Sequence, residues 1–550
     1  MSETKKTPVS SRVEKAFPAP GFRANQREVI ETIVEGFEEK GVEVVELSAP
    51  TGFGKSITLY SIVEAMGVRA FYLTPLKSLQ EQLVKDDFIG ENVIEIMGRS
   101  NYPCILPEAD TTVDKGKCNR DSNFDCDLKD QCPYYTQKEK AIRHDKTVMN
   151  LSYLMAEGFV PDHADLKFGD RRIGIIDECQ SIEGWALNFV GTTLSKNTVP
   201  EMVWNNITLP DESKMDDMDY LVEWIKDDVL SAVEDTMAYY QSISLKSEDQ
   251  QDELEKLSQF DNKIRRFLAD VVDHHWVAQK QVEIRKNKPN YEKVEFKPIK
   301  VGRFLEDLVW SRFDKIILSS ATIPKGNWRQ EIGLGDRKTM EISVPSEFPV
   351  ENRPVVTTEA VGKMTKAKRE GNMPDAVEKV KAMSEFHDGE KGIVHARGYN
   401  YIKMFRRAAT NNGYRDWFDE NVHVQDRYNR EESLEEWINN GKQVFMSVNM
   451  AEGIDLEGDL CRWQVLLKTN YPFMGDKRVQ YRINEMEDWD WYNRHAAIQI
   501  QQAYGRAVRS KEDEAVFYIL DSSAVGMIDR NTELFEDWFL DAINDRPLDY

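Results

Sequence analysis

Apolar residues recur along this chain in short runs bounded by turns, at 44–48 (VVELS), 71–74 (FYLT), 173–176 (IGII), 316–319 (IILS), 392–395 (GIVH), 443–448 (QVFMSV), 464–469 (QVLLKT) and 516–520 (VFYIL). Helical patterns follow them, so the runs predict buried parallel strands of an α/β fold. Their number suits two sheets better than one, and 550 residues exceed the length at which a single core keeps growing. Two segments break the rhythm. Residues 99–150 are rich in cysteine, aspartate and lysine and predict a small inserted domain. From about 188 to 300, helical spacing at Met218, Leu221, Val222, Ile225, Val229 and Val233, and again from Leu254 to Val272, predicts a helical insertion with acidic outer faces. The first lobe is then made of 1–98, 151–187 and 301–350, and the second of 351–550.

Charge changes this picture little. Lysine and arginine number 72 against 96 acids, a net charge of −24, which opposes nucleic acid on the outer surface but not in a basic internal channel. No apolar stretch is long enough to span a bilayer, and the N-terminus lacks the apolar core of a secretory signal, so the expectation is a cytoplasmic protein with no membrane partner. Cytosolic thiols stay reduced, which leaves the clustering of Cys104, Cys118, Cys126 and Cys132 within 29 residues in need of a chemical reason. Four thiolates bind zinc or iron and sulfur. Structural zinc sites favour close Cys-x(2–4)-Cys pairs, whereas gaps of 13, 7 and 5 residues favour a [4Fe-4S] cluster. Cys179 and Cys461 have no partner at ligand spacing and read as packing residues, and His144 reads as structural.

The run VVELS leads into APTGFGKS and then an apolar helix, the strand, loop and helix that phosphate binding requires. Thr51, Gly52 and Gly54 let backbone N–H groups turn toward phosphates, Lys55 reaches the β and γ phosphates of ATP, and Ser56 ligates Mg2+. Ala49 stands where the usual pattern has its first glycine. The run IGII ends in Asp177, which can hold Mg2+, and Glu178, which can polarise an attacking water.

These motifs, in this order, resemble a superfamily 2 helicase. DECQ stands where that superfamily has DEAD or DEAH, and SSAT (Ser319 to Thr322) where it has SAT. VNMAEGIDLEGD resembles the fifth motif, with Gly453 and Asp455, and QQAYGRAVRS the sixth, with Gln502, Gly505, Arg506 and Arg509. FPAPGFRANQ, ending in Gln26, MGRSNYPC, CPYY, MNLSYL and VPSEFPVENRP narrow the resemblance to the XPD/DinG family. That likeness implies two RecA-like motor lobes, an iron–sulfur insertion and an arch. Gln26 would sit beside adenine, Arg506 and Arg509 would face the γ-phosphate, and single-stranded DNA would move with 5′ to 3′ polarity to a duplex junction. Guanidiniums at the transferred phosphoryl are worth roughly three to five orders of magnitude in rate. The family also implies a strand path along Thr74, Lys77, Ser78, Arg397, Lys468, Tyr471 and Arg478. A basic stretch at Lys280, Arg285, Lys286, Lys288, Lys293, Lys297, Lys300 and Arg303 reads equally as a strand contact or a solvated charged hairpin. Two rivals share these residues: an RNA-directed or duplex-remodelling ATPase with zinc on its cysteines, and a nucleic-acid-binding regulator that ATP merely switches. Protein partners are not legible.

Overall fold

All eight apolar runs are strands, and they divide between two parallel sheets of seven strands each. The computed structural model describes residues 7–544 except 108–109, 121–123, 159–165, 170, 244–246, 273–274, 284, 286–288, 449–455 and 457. Gly453 and Asp455 therefore lie outside the described residues.

The first lobe contributes β1 (Val44–Ser48), β2 (Ala70–Thr74), β3 (Ile94–Glu95), β4 (Lys146–Asn150) and β5 (Ile173–Asp177). The chain then leaves through β6 (Thr192–Ser195), β7 (Trp276–Glu283) and β8 (Tyr291–Pro298), and returns with β9 (Lys315–Ser320) and β10 (Thr339–Ser343). The first sheet has the order β10-β1-β9-β5-β2-β4-β3. Both its faces are covered. Val44, Phe71, Leu73, Ile176 and Leu318 point into one core, and Val45, Leu47, Tyr72, Ile175 and Ile317 into the other, which is why these strands read as unbroken apolar runs. The strand β4 falls inside the span expected for the cysteine insertion, yet it pairs with β2 and β3, so the lobe resumes at Lys146.

The second lobe is built from β11 (Val355–Val356), β12 (Gly392–His395), β13 (Val422–Val424), β14 (Val444–Ser447), β15 (Trp463–Leu466), β16 (Val516–Ile519) and β17 (Ile543–Asn544), in the order β13-β14-β12-β15-β16-β11-β17. The insertion at 188–300 is not purely helical. Its helices Ser231–Ser242 and Glu248–Asp270 pack with an antiparallel sheet β6-β8-β7 around Trp224, Phe267, Trp276 and Phe296. In β7 and β8 apolar and charged residues alternate, the mark of a sheet with one wet face. On that face Lys293 pairs with Glu295 at 2.6 Å and Lys297 with Asp476 at 3.2 Å, while Lys280 pairs with Glu292 at 3.0 Å on the other. The strands β7 and β8 form a charged hairpin, and Lys286 and Lys288 of that stretch lie outside the described residues. Among the described residues no helix is long and apolar enough to cross a membrane.

Candidate functional site

Three loops leave the C-terminal ends of the adjacent strands β1, β9 and β5, and these carry the phosphate loop, SSAT and DECQ. Sheet order thus brings together motifs that lie more than 100 residues apart, at the edge where parallel α/β sheets bind ligands. Gly52 and Gly54 have φ of +86° and +83°, conformations that a side chain would strain. The helix Lys55–Met66 begins directly after them. The Lys55 ammonium donates to the Ala49 carbonyl at 3.2 Å.

The Tyr72 hydroxyl donates to Asp177 Oδ2 at 3.2 Å and is hydrogen-bonded to Ser56, so the two expected Mg2+ ligands meet through one phenol. Burial, with the Glu178 charge beside it, pushes the Asp177 carboxyl up to about 6, while Lys55 pulls it down. Glu178 has φ of +50°, an uncommon conformation for a side-chain-bearing residue and one found at functional sites. Its carboxylate accepts from Gln180 Nε2 at 2.7 Å.

Gln26 is buried and supports the phosphate loop: its Nε2 donates to the Phe53 carbonyl at 2.8 Å, and its Oε1 accepts from Arg23 N at 2.7 Å. Across the loop lies a cleft of about 580 Å³ lined by Arg23, Thr51, Gly52, Phe348 and, from the second lobe, Arg509 and Lys511. Arg509 thus faces the phosphate loop across this cleft. Arg506 does not line this cleft; its Nε donates to the Gln502 carbonyl at 3.1 Å, and its charge lies near His395. Gln502 is buried and accepts from Gln499 Nε2 at 3.3 Å. Sequence reasoning missed Phe348, whose ring occupies the space that a Cβ on Gly52 would fill, and Arg23, which donates to the Gly52 carbonyl.

Comparisons with known proteins bear on the fold and on the second lobe. Residues 382–541 match the helicase C-terminal domain family. Over 96% of its length the chain superposes on all of S. tokodaii Xpd4 with a TM-score of 0.57, and equally on an XPD helicase at 0.59, each at 16% identity. The chain has the fold of these XPD structures. The domain match lies wholly in the second lobe, and the shared fold spans both lobes. Short stretches also align with UvrABC system protein B, at 36% identity over 87 residues in Thermosipho africanus (strain TCF52B) and 35% over 118 in Dechloromonas aromatica (strain RCB). Those alignments span 13% and 16% of the relatives' own length.

In this XPD-like chain the four cysteines of the insertion share one neighbourhood. Burial raises the Cys118 thiol, and the charges of Cys126, Cys104 and Cys132 raise it further. Among the described residues no three Cys, His, Asp or Glu side chains close on a common centre. The donor type, four thiols, is that of an iron–sulfur cluster, while their positions do not converge on one centre. Val113, Cys132, Tyr134 and Ala141 also bury in the first lobe's core, so part of the insertion is held by packing alone. Cys179 and Cys461 are fully buried, and His144 Nδ1 contacts the Lys146 carbonyl at 3.0 Å, as packing and structural roles require.

Two residues of the expected strand path are corrected by burial. Lys468 forms an ion pair with Asp521 at 2.8 Å, and Arg478 pairs with Glu183; both cations are about 5% exposed and already neutralised. Thr74 is also fully buried. Lys77 donates to Asn101 Oδ1 at 2.5 Å, and Arg397 to the Tyr471 carbonyl at 2.6 Å. The surface feature near Tyr471 is aromatic. Tyr471 stacks on Tyr492 at 5.2 Å, Trp489 meets Tyr492 edge-on at 5.9 Å, and Phe473 and Trp489 are 68% and 51% exposed. These side chains come from a loop and a helix start, so no sequence periodicity marks them as a cluster.

Proposed function

We propose that this chain is an ATP-dependent DNA helicase that moves 5′ to 3′ on single-stranded DNA and opens duplex at a junction. The observation that carries this is the cleft in which the phosphate loop of one RecA-like sheet faces Arg509 of the other, so that nucleotide would bridge both lobes. Lys55 and the loop N–H groups would hold the phosphates, and Glu178 would orient the attacking water. Ser56 and Asp177 would hold Mg2+, which supplies charge neutralisation on the phosphates. Exposed Phe473 and Trp489 suit stacking on unpaired bases, a contact worth roughly 1–3 kcal/mol per base. Cys104, Cys118, Cys126 and Cys132 would hold a [4Fe-4S] cluster, whose role there is to close an insertion too small to bury a full core.

Strand displacement on 5′-tailed and 3′-tailed DNA duplexes, with RNA in parallel and metal content measured after anaerobic purification, tests the proposal. Unwinding of the 5′-tailed DNA alone, by protein that carries iron, is expected. Preference for RNA together with zinc would replace the proposal with a zinc-containing RNA-directed ATPase. ATP-dependent binding without strand separation would replace it with an ATP-switched regulator.

A further inference from the structure

Glu183 lies in the helix Ile182–Val190, just after DECQ, and is buried. No nucleotide motif uses it. Its carboxylate is nevertheless among the most heavily coordinated in the molecule, and its partners come from the other lobe. Arg478 donates to Oε1, Arg482 approaches the same oxygen at 3.3 Å, Trp491 Nε1 donates to Oε2 at 3.0 Å, and His495 Nε2 lies 3.4 Å from Oε2. Burial alone would raise this carboxyl, but Arg478, His495 and Arg482 hold it well below the usual carboxylate range.

The cluster extends further. Arg482 also pairs with Glu331 at 2.9 Å and with Asp488, and Arg494 pairs with Glu331 at 2.9 Å. Arg478 donates through Nε to the carbonyls of Pro298 and Ile299, each at 3.0 Å, where the large insertion rejoins the first lobe. Both Arg478 and Arg482 lie over the Trp491 ring, at 5.4 and 4.4 Å. Three carboxylates thus meet three guanidiniums away from water. Buried ion networks give little net stability over an apolar contact, but removing one member is costly, so they favour one register and oppose sliding.

The elements joined here lead to both ends of the proposed reaction. The helix Ile182–Val190 begins four residues after Glu178. The helix Trp489–Tyr504 begins at exposed Trp489 and ends two residues before Arg506. The helix Lys477–Asn484, which carries Arg478 and Arg482, follows the loop of Tyr471 and Phe473. We propose that Glu183 is a positioning residue, the joint through which strand engagement at the aromatic loop sets the placement of Glu178 against the sixth motif. This deepens the proposed DNA-helicase function and rests on it.

The test compares wild type with Glu183→Gln, which keeps size and hydrogen-bond acceptance but loses the charge, and Glu183→Asp, which keeps the charge. Trp491→Phe, which removes only the indole donor, serves if Glu183→Gln folds poorly. ATP turnover is measured with and without an oligo-dT strand, below the melting temperature of each variant. Glu183→Gln should lose tenfold or more of the DNA stimulation of kcat with KM for ATP within about twofold of wild type, and Glu183→Asp should recover part of it. Hydrogen exchange without nucleotide or DNA should rise together in the helices Ile182–Val190 and Trp489–Tyr504 of Glu183→Gln. A wild-type enzyme that DNA does not stimulate would overturn the proposed function, and the exchange measurement would still decide the joint. Undiminished stimulation in folded Glu183→Gln, or exchange rising in one helix alone, would overturn the joint itself.

Discussion

Replacing Gly54 with alanine tests how the phosphate loop is held. At φ of +83° a side chain costs about 1–2 kcal/mol of backbone strain. The added Cβ would also lie 2.6 Å from Gln26 Nε2, displacing the amide that donates to Phe53 and accepts from Arg23. Losing those two bonds costs roughly a further 2 kcal/mol. An empty loop can relax away from this geometry, so the cost falls on binding, which requires it. At about 1.4 kcal/mol per tenfold, 3–4 kcal/mol corresponds to roughly a few hundredfold weaker ATP affinity. In a Gln26→Ala background the collision disappears and only the strain is left, so the same glycine substitution should cost about 5- to 30-fold. Fluorescent-nucleotide titration of the four proteins completes the cycle. An equal loss in both backgrounds would refute the reasoning, because residue 54 and the Gln26 amide would then be independent.

Lys55→Ala should abolish ATP hydrolysis, and Glu178→Gln should bind nucleotide without turning it over; near-wild-type rates in either would move the catalytic centre elsewhere. Arg509→Ala should lower kcat more than it raises KM for ATP, with a smaller effect from Arg506→Ala, which does not line the cleft; the reverse ranking in steady-state kinetics would reassign the two. Cys104→Ser or Cys132→Ser should lose iron and unwinding together while ATPase persists, since packing of Val113 and Tyr134 still anchors the insertion; unwinding at wild-type rates without iron would remove the cluster from strand separation. Burial pushes the Glu46 carboxyl up to about 7 against an ordinary 4.5, so its proton stabilises the fold fully below pH 4.5, and that stability is lost as pH rises through 7. Between pH 6 and 8 the loss is about 1.3 kcal/mol, so the melting temperature of wild type should fall relative to that of Glu46→Gln over this range; a constant gap would mean a carboxyl ionised throughout.

The sequence alone determined the two-lobe plan, because strands buried on both faces are mostly apolar, as in 173–176 and 316–318. It also determined the phosphate loop, since glycines at positive φ before a helix are a local requirement, and Asp177 with Glu178 at the end of a strand. Short or half-exposed strands escaped it. The pair β7 and β8 reads as charged coil until Glu283, Glu292 and Glu295 are found paired with the lysines, and β4 gains its partners β2 and β3 only in the folded sheet. Charge was misread for the same reason. Lys468 and Arg478 look like strand contacts in one dimension, but a side chain's charge is available only if no partner reaches it, and Asp521 and Glu183 lie 53 and 295 residues away. The cleft between the phosphate loop and Arg509, the aromatic group of Tyr471, Trp489 and Tyr492, and the buried joint at Glu183 belong to the tertiary structure alone, because each is made of residues whose nearness depends on sheet order and lobe packing and not on spacing along the chain.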